Sequence, residues 1–188
     1  MLAALGYVGF SIDMYGEGKT GDTKEEKMGL IQPLLDDRAL LARRINSAVD
    51  KVKTLNFVDA SRMGAIGFCF GGLCVLDLAR SGARVSGVVS FHGLLFPPQH
   101  HASQLITAKI LVLHGHDDPM VPVEQVNAFE TEMTNAHVDW QLNVYSQTMH
   151  GFTNPMANDP AFGTVYNPVI DSRSWIAMKN FFLEIYGS

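Results

Sequence analysis

Three short stretches carry residue types that could do chemistry together. Gly67-Phe68-Cys69-Phe70-Gly71-Gly72 places a thiol with glycines two positions before and after it. That is the spacing of a sharp strand-to-helix turn that holds a nucleophile out from the backbone. There Cys69 would sit at a helix amino terminus, whose dipole favours thiolate, and the Phe70 amide would face a developing oxyanion. His114-Gly115-His116-Asp117-Asp118-Pro119-Met120-Val121-Pro122 follows an apolar run, and an aspartate there can orient a histidine from a later loop. His150-Gly151-Phe152 supplies such a histidine, in a glycine-containing loop. Each stretch also has a plainer reading. Free cysteines are often core residues, which is how Cys74 reads, inside the expected helix. The glycines show neither G-x-G-x-x-G nor Gly-Lys-Ser/Thr, so a phosphate loop is weakly supported. His114 and His116 as metal ligands would need a third protein ligand, and no metal is expected. His92, His100, His101 and His137 fit no constellation and read as surface or packing residues.

The elements that must position these stretches alternate between strand and helix. Tyr7 to Ile12 reads as a short apolar strand ending at Asp13. Thr23 with Glu26 fits a capping box that opens a helix. Pro33 fits the first turn of a longer one, with Leu34, Leu41, Ile45, Ala48, Val52 and Leu55 as its apolar stripe. Strands are expected at Met63–Phe68, Val85–Phe91, Lys109–His114 and Trp140–Tyr145, the second β-branched and buried on both faces. A helix should run from Gly71-Gly72 through Ala79 and stop at Gly82. Another is expected at Val123–Ala136, burying Val126, Phe129 and Met133. The last should span about Arg173 to Tyr186, turning Trp175, Met178, Phe182 and Ile185 to the core. This alternation predicts an α/β fold, a mostly parallel sheet with helices on both faces. Chemistry then gathers at the carboxyl ends of the strands, where all three stretches fall.

Composition narrows the classes. The 188 residues are 47% hydrophobic and 18% charged, enough for one globular domain spanning 1–188 and unlike a disordered chain. The net charge of -5, with no basic stripe, argues against a nucleic-acid partner or a polybasic membrane contact. The glycine-rich uncharged run Met63 to Leu76 is short for a bilayer span, and no signal peptide is apparent. Two cysteines make no disulfide scaffold and suit a cytoplasmic location.

The order of nucleophile, acid and histidine is the one α/β-hydrolases use. The stretches LGYVGFSIDMYG, GFCFGG, HGHDDPMVP and HGF resemble the dienelactone hydrolases (carboxymethylenebutenolidases) across nearly the whole chain. The cysteine is the discriminating feature, since most α/β-hydrolases carry serine there. The resemblance implies Cys69 as nucleophile, His150 as base and Asp118 as acid, because Asp118 stands three residues before Val121-Pro122. It implies covalent acyl transfer on a small-molecule ester or lactone, without metal or organic cofactor. Tyr15, Lys19 and Phe152 fall in the family's substrate-contacting stretches. Family members bind a substrate carboxylate with arginines where this chain has Gly16-Glu17-Gly18-Lys19 and Thr153-Asn154-Pro155. A lysine lacks the planar fork of arginine, so a small ester, lactone or thioester other than dienelactone is expected.

The family pattern begins before this chain does, so the expectation is an α/β-hydrolase-like three-layer sandwich with N-terminal strands missing. One would be a central strand between Tyr7–Ile12 and Met63–Phe68, and its following loop would donate the second oxyanion amide. Unpaired edges on these two strands would favour a homo-oligomer. The competing class is a non-catalytic binding relative or fragment of the same fold.

Overall fold

A computed structural model of the chain describes residues 2–99 and 105–187; His100 and His101 lie outside them. The chain divides into two compact units, Met1–Ser61 and Arg62–Ser188.

In the first unit, helices α1 (Lys24–Asp36) and α2 (Arg38–Lys53) pack on one another. The capping box opens α1: the Glu26 amide donates to Thr23 Oγ1 (3.1 Å), and the Thr23 amide to the Glu26 carboxylate (3.2 Å). Pro33 does not start a helix. It lies inside α1, and α2 begins instead where Asp37 accepts the Leu40 amide (2.8 Å). A side chain able to hold an orphan amide defines that start better than a proline that only tolerates one. Leu34, Leu41 and Ile45 are buried as the periodicity requires, joined by Val49. Residues 7–12 are not a strand. A strand needs a partner ladder, and this segment belongs to no sheet among the described residues.

The second unit holds a sheet of four parallel strands in sequence order: β1 (Gly64–Phe68), β2 (Gly87–Phe91), β3 (Lys109–Gly115) and β4 (Trp140–Tyr145). Helix α3 (Phe70–Arg80) links β1 to β2, and α4 (Val123–Asn135) links β3 to β4. A small hairpin, β5 (Asn158–Asp159) and β6 (Thr164–Val165), precedes α5 (Pro168–Tyr186). That helix starts before Arg173 because Asn167 caps it, accepting the Ile170 amide (3.2 Å), with Pro168 at its first position. Met178 and Phe182 are buried as expected, while Trp175 and Ile185 are half-buried.

The pleat assigns helices to faces. Gly87 and Ser90 are three positions apart on β2 and so point to opposite sides. A side chain on Gly87, or on its register partner Gly64, would strike Phe181 or Phe182 of α5. Lys109, next in register, reaches Glu184 of α5 (2.9 Å). On the other side Ser90 lies against Gly72 of α3, and Trp140 meets Phe129 of α4. The layers are therefore α3 and α4, sheet, α5. Strand β2 is buried throughout and β3 nearly so, as strands covered on both faces must be. Among the described residues β1 pairs only with β2, and β4 only with β3.

Arg80 ties the first layer together. Buried at the end of α3, it makes a bidentate pair with Glu132 of α4 (2.8 and 2.7 Å). It also meets Asp77 (3.4 Å) and donates to the carbonyls of Leu95 (2.8 Å) and Phe96 (3.4 Å).

Candidate active site

Cys69 stands between β1 and α3 at φ 55°, in the left-handed region that non-glycine residues seldom enter. Strain of this kind persists where surrounding structure enforces it. Gly67 is part of that enforcement: a Cβ there would run into the Gly71 carbonyl. Gly72 is equally confined by Ser90 and Gly93, whereas a Cβ on Gly71 meets open space. The turn leaves Cys69 exposed at the amino end of α3, with Phe70 as the first helical residue, while Cys74 is buried within the helix.

The end of β3 and the loop before His150 meet closely. The Asp117 amide donates to the Thr148 carbonyl (2.9 Å), and a side chain on Gly115 would collide with that carbonyl. Of the two aspartates, Asp118 turns inward: it is buried, and Oδ2 accepts from His150 Nδ1 (2.8 Å). Its Oδ1 accepts the Met120 amide (2.9 Å), which fixes the carboxylate plane. Asp117 is exposed and pairs with His116 (2.7 Å).

His150 is buried and clamped by the hairpin. Its amide donates to the Gly163 carbonyl (2.9 Å), and its carbonyl accepts the Val165 amide (3.0 Å). Gly163, at φ +84°, packs against Pro119, so the hairpin tip also touches the acid's loop. The His150 Nε2 has no hydrogen-bond partner among the described residues. Burial pulls its pKa down, but the Asp118 hydrogen bond and the Cys69 thiol outweigh it and raise the ring to about 9. Only a charge-stabilising neighbourhood does that to a buried imidazole.

Phe152, Tyr15 and Lys19 complete the expected set. Phe152 is fully buried, its ring edge-on to His92 (4.9 Å) and Tyr145 (5.9 Å), and offers no exposed surface. In the first unit, Asp13 accepts the amides of Tyr15, Gly16 and Gly18 (3.1, 2.8 and 2.8 Å), and Lys19 pairs with Glu17 (2.9 Å). His114 is buried and held below the usual histidine range by burial, while His116 is exposed. Among the described residues no cluster of three or more His, Cys, Asp or Glu side chains could hold a metal. No helix among them is long and apolar enough to cross a membrane.

One participant had no signature in the sequence. His92, just past β2, is buried at φ 39°, and its Nδ1 receives the Cys69 amide (3.2 Å). That amide also donates to the Phe91 carbonyl (3.0 Å). His92 Nε2 lies 2.8 Å from Thr153 Oγ1, and its ring sits edge-on to that of His150 (5.1 Å).

A parallel sheet layered by helices, with a sharp cysteine-bearing turn after one strand and a buried histidine–aspartate pair after others, is the architecture of an α/β-hydrolase. The chain belongs to the dienelactone hydrolase family, whose sequence pattern matches residues 1–186, and with it to the hydrolases of ester and lactone bonds. It is 36% identical to an uncharacterised protein of Caenorhabditis elegans over 80% of this chain and 98% of that one. It is 30% identical to a Bradyrhizobium protein named "Probable 2-oxo-3-(5-oxofuran-2-ylidene)propanoate lactonase", over 93% of this chain and 71% of that one. The crystal structure of a dienelactone hydrolase-like promiscuous phosphotriesterase from metagenomic libraries superposes with a TM-score of 0.93 at 38% identity. That match covers 99% of this chain and 78% of the other.

Proposed function

We infer that the chain hydrolyses small carboxylic esters, lactones or thioesters through Cys69, His150 and Asp118. With its ring held at about 9, His150 carries the proton on Nε2 at neutral pH; the Cys69 thiolate attacks the carbonyl carbon, and the carbonyl oxygen becomes an oxyanion facing the Phe70 amide. The carbon–oxygen bond then breaks, and the alkoxide leaves with the proton held by His150. Water attacks the resulting thioester, giving its proton to His150. The carbon–sulfur bond then breaks, releasing the acid and restoring the thiolate beside protonated His150. Asp118 holds Nδ1–H throughout, keeping the tautomer that presents Nε2 to the thiol.

The observation that carries this reading is the polarity of His150. One ring nitrogen is fixed by a buried carboxylate, and the exposed Cys69 thiol also raises the ring's proton affinity. The stretch after His150, where the family carries an arginine, holds Thr153, which is engaged with His92, so substrates without a carboxylate beside the reacting bond are favoured. Turnover of short p-nitrophenyl esters by Cys69→Ala, with mass mapping of iodoacetamide labelling, tests the assignment. Loss of turnover and of the label at Cys69 is expected; unchanged turnover would make the chain a non-catalytic relative.

A further inference from the structure

We propose that His92 is a positioning residue for the Cys69 turn, a neutral imidazole that anchors the backbone amide of Cys69 at Nδ1 and ties it through Nε2–H to Thr153 on the loop that carries His150.

The tautomer follows from hydrogen-bond chemistry. An amide N–H can only donate, so His92 Nδ1 must offer its lone pair to Cys69, and the ring proton must sit on Nε2. There it is donated to Thr153 Oγ1 at 2.8 Å. The result is a chain of two hydrogen bonds between the base of the nucleophile's turn and the histidine's loop. The groups facing the ring favour its neutral form. Burial takes its pKa down to about 3, and charge on His150 pushes the same way, against a smaller opposing influence from Asp118. A protonated His92 would lose its lone pair toward Cys69 and place a second cation edge-on to His150. Uncharged, it leaves His150 as the ring that takes the proton, and it opposes a change of the strained φ at Cys69 that would swing the sulfur away.

The proposal rests on the Cys69–His150–Asp118 reading, and its tests separate the two. Thr153→Val removes the acceptor at nearly constant volume, and Thr153→Ser restores it. In His92→Asn the amide oxygen can take the place of Nδ1, and asparagine tolerates the positive φ; His92→Leu removes both side-chain hydrogen bonds and leaves the backbone bond to the Leu113 carbonyl. A small displacement of a reacting group costs up to about a hundredfold in rate. His92→Leu should therefore lower kcat by tens of fold with KM changed less than about twofold, and His92→Asn should recover most of it. Thr153→Val should fall between them, and Thr153→Ser should match the parent. Nitrogen NMR of the imidazoles should show His92 protonated at Nε2 and bare at Nδ1 in the parent. Should His92→Leu not fold, the Thr153 pair and the spectrum still decide. Equal kcat for Thr153→Val and Thr153→Ser, or a proton on Nδ1, overturns the proposal while Cys69-dependent turnover stands. Turnover that survives Cys69→Ala removes both readings.

Discussion

Two adjacent histidines titrate in opposite senses. His150 is raised to about 9, so the folded state holds a proton that the unfolded chain releases near 6.5. Its contribution to stability is complete below 6.5 and is lost as pH rises through 9. His92 is lowered to about 3, so the unfolded chain takes up a proton that the folded state refuses. Stability from this source is lost as pH falls below 6.5 toward 3. The sum is a stability maximum near 6.5, readable from urea midpoints in buffers on either side. His92→Asn should flatten the acid limb and His150→Asn the alkaline one. If both variants keep the parent's curve, the limbs arise elsewhere. His92 was illegible in the sequence for a simple reason. Its partners are Cys69 and Thr153, 23 and 61 residues away, and no local spacing encodes that convergence. Asp118 over Asp117 was likewise open to local reading, since adjacent carboxylates differ only in which way the turn after β3 faces them.

At the scale of elements, the turn after β1 depends on Gly67 more than on Gly71, although the motif treats them alike. Gly67→Ala would drive a methyl into the Gly71 carbonyl, costing about 3 kcal/mol as a backbone overpacking. It should also abolish iodoacetamide labelling of Cys69, whereas Gly71→Ala should be mild on both counts. The pairing of α3 with α4 depends on Arg80. Glu132→Ala would leave a buried guanidinium with only Asp77 and two carbonyls. Breaking buried pairs costs about 3 kcal/mol, and a denaturation midpoint unchanged from the parent would show the pair to be dispensable. The central elements were legible because buried parallel strands are uniformly apolar and their helices are periodic. Tyr7–Ile12 has the same composition yet forms no strand, since composition does not supply the neighbour that a ladder needs. The start of α5 was written in Asn167 and Pro168, a cap and a first-turn proline that apolar periodicity passes over.

For the whole molecule, the sheet's edges lead to a prediction about association. β1 and β4 each pair with a single strand among the described residues, and such edges template association with a second copy. Size-exclusion chromatography across a dilution series should show concentration-dependent dimers or larger species; a monomer at every concentration would count against it. The hairpin clamp on His150 has a consequence for how such a protein can be recombined. Acid, base and the hairpin that grips the base lie between residues 115 and 165, joined by the Thr148 and Gly163 carbonyls and the Gly163–Pro119 packing. They form a cassette contiguous in the chain. A chimera that exchanges the cassette whole inherits a matched acid and base. A crossover between Pro119 and Gly163 joins halves whose loop and hairpin were never fitted to each other.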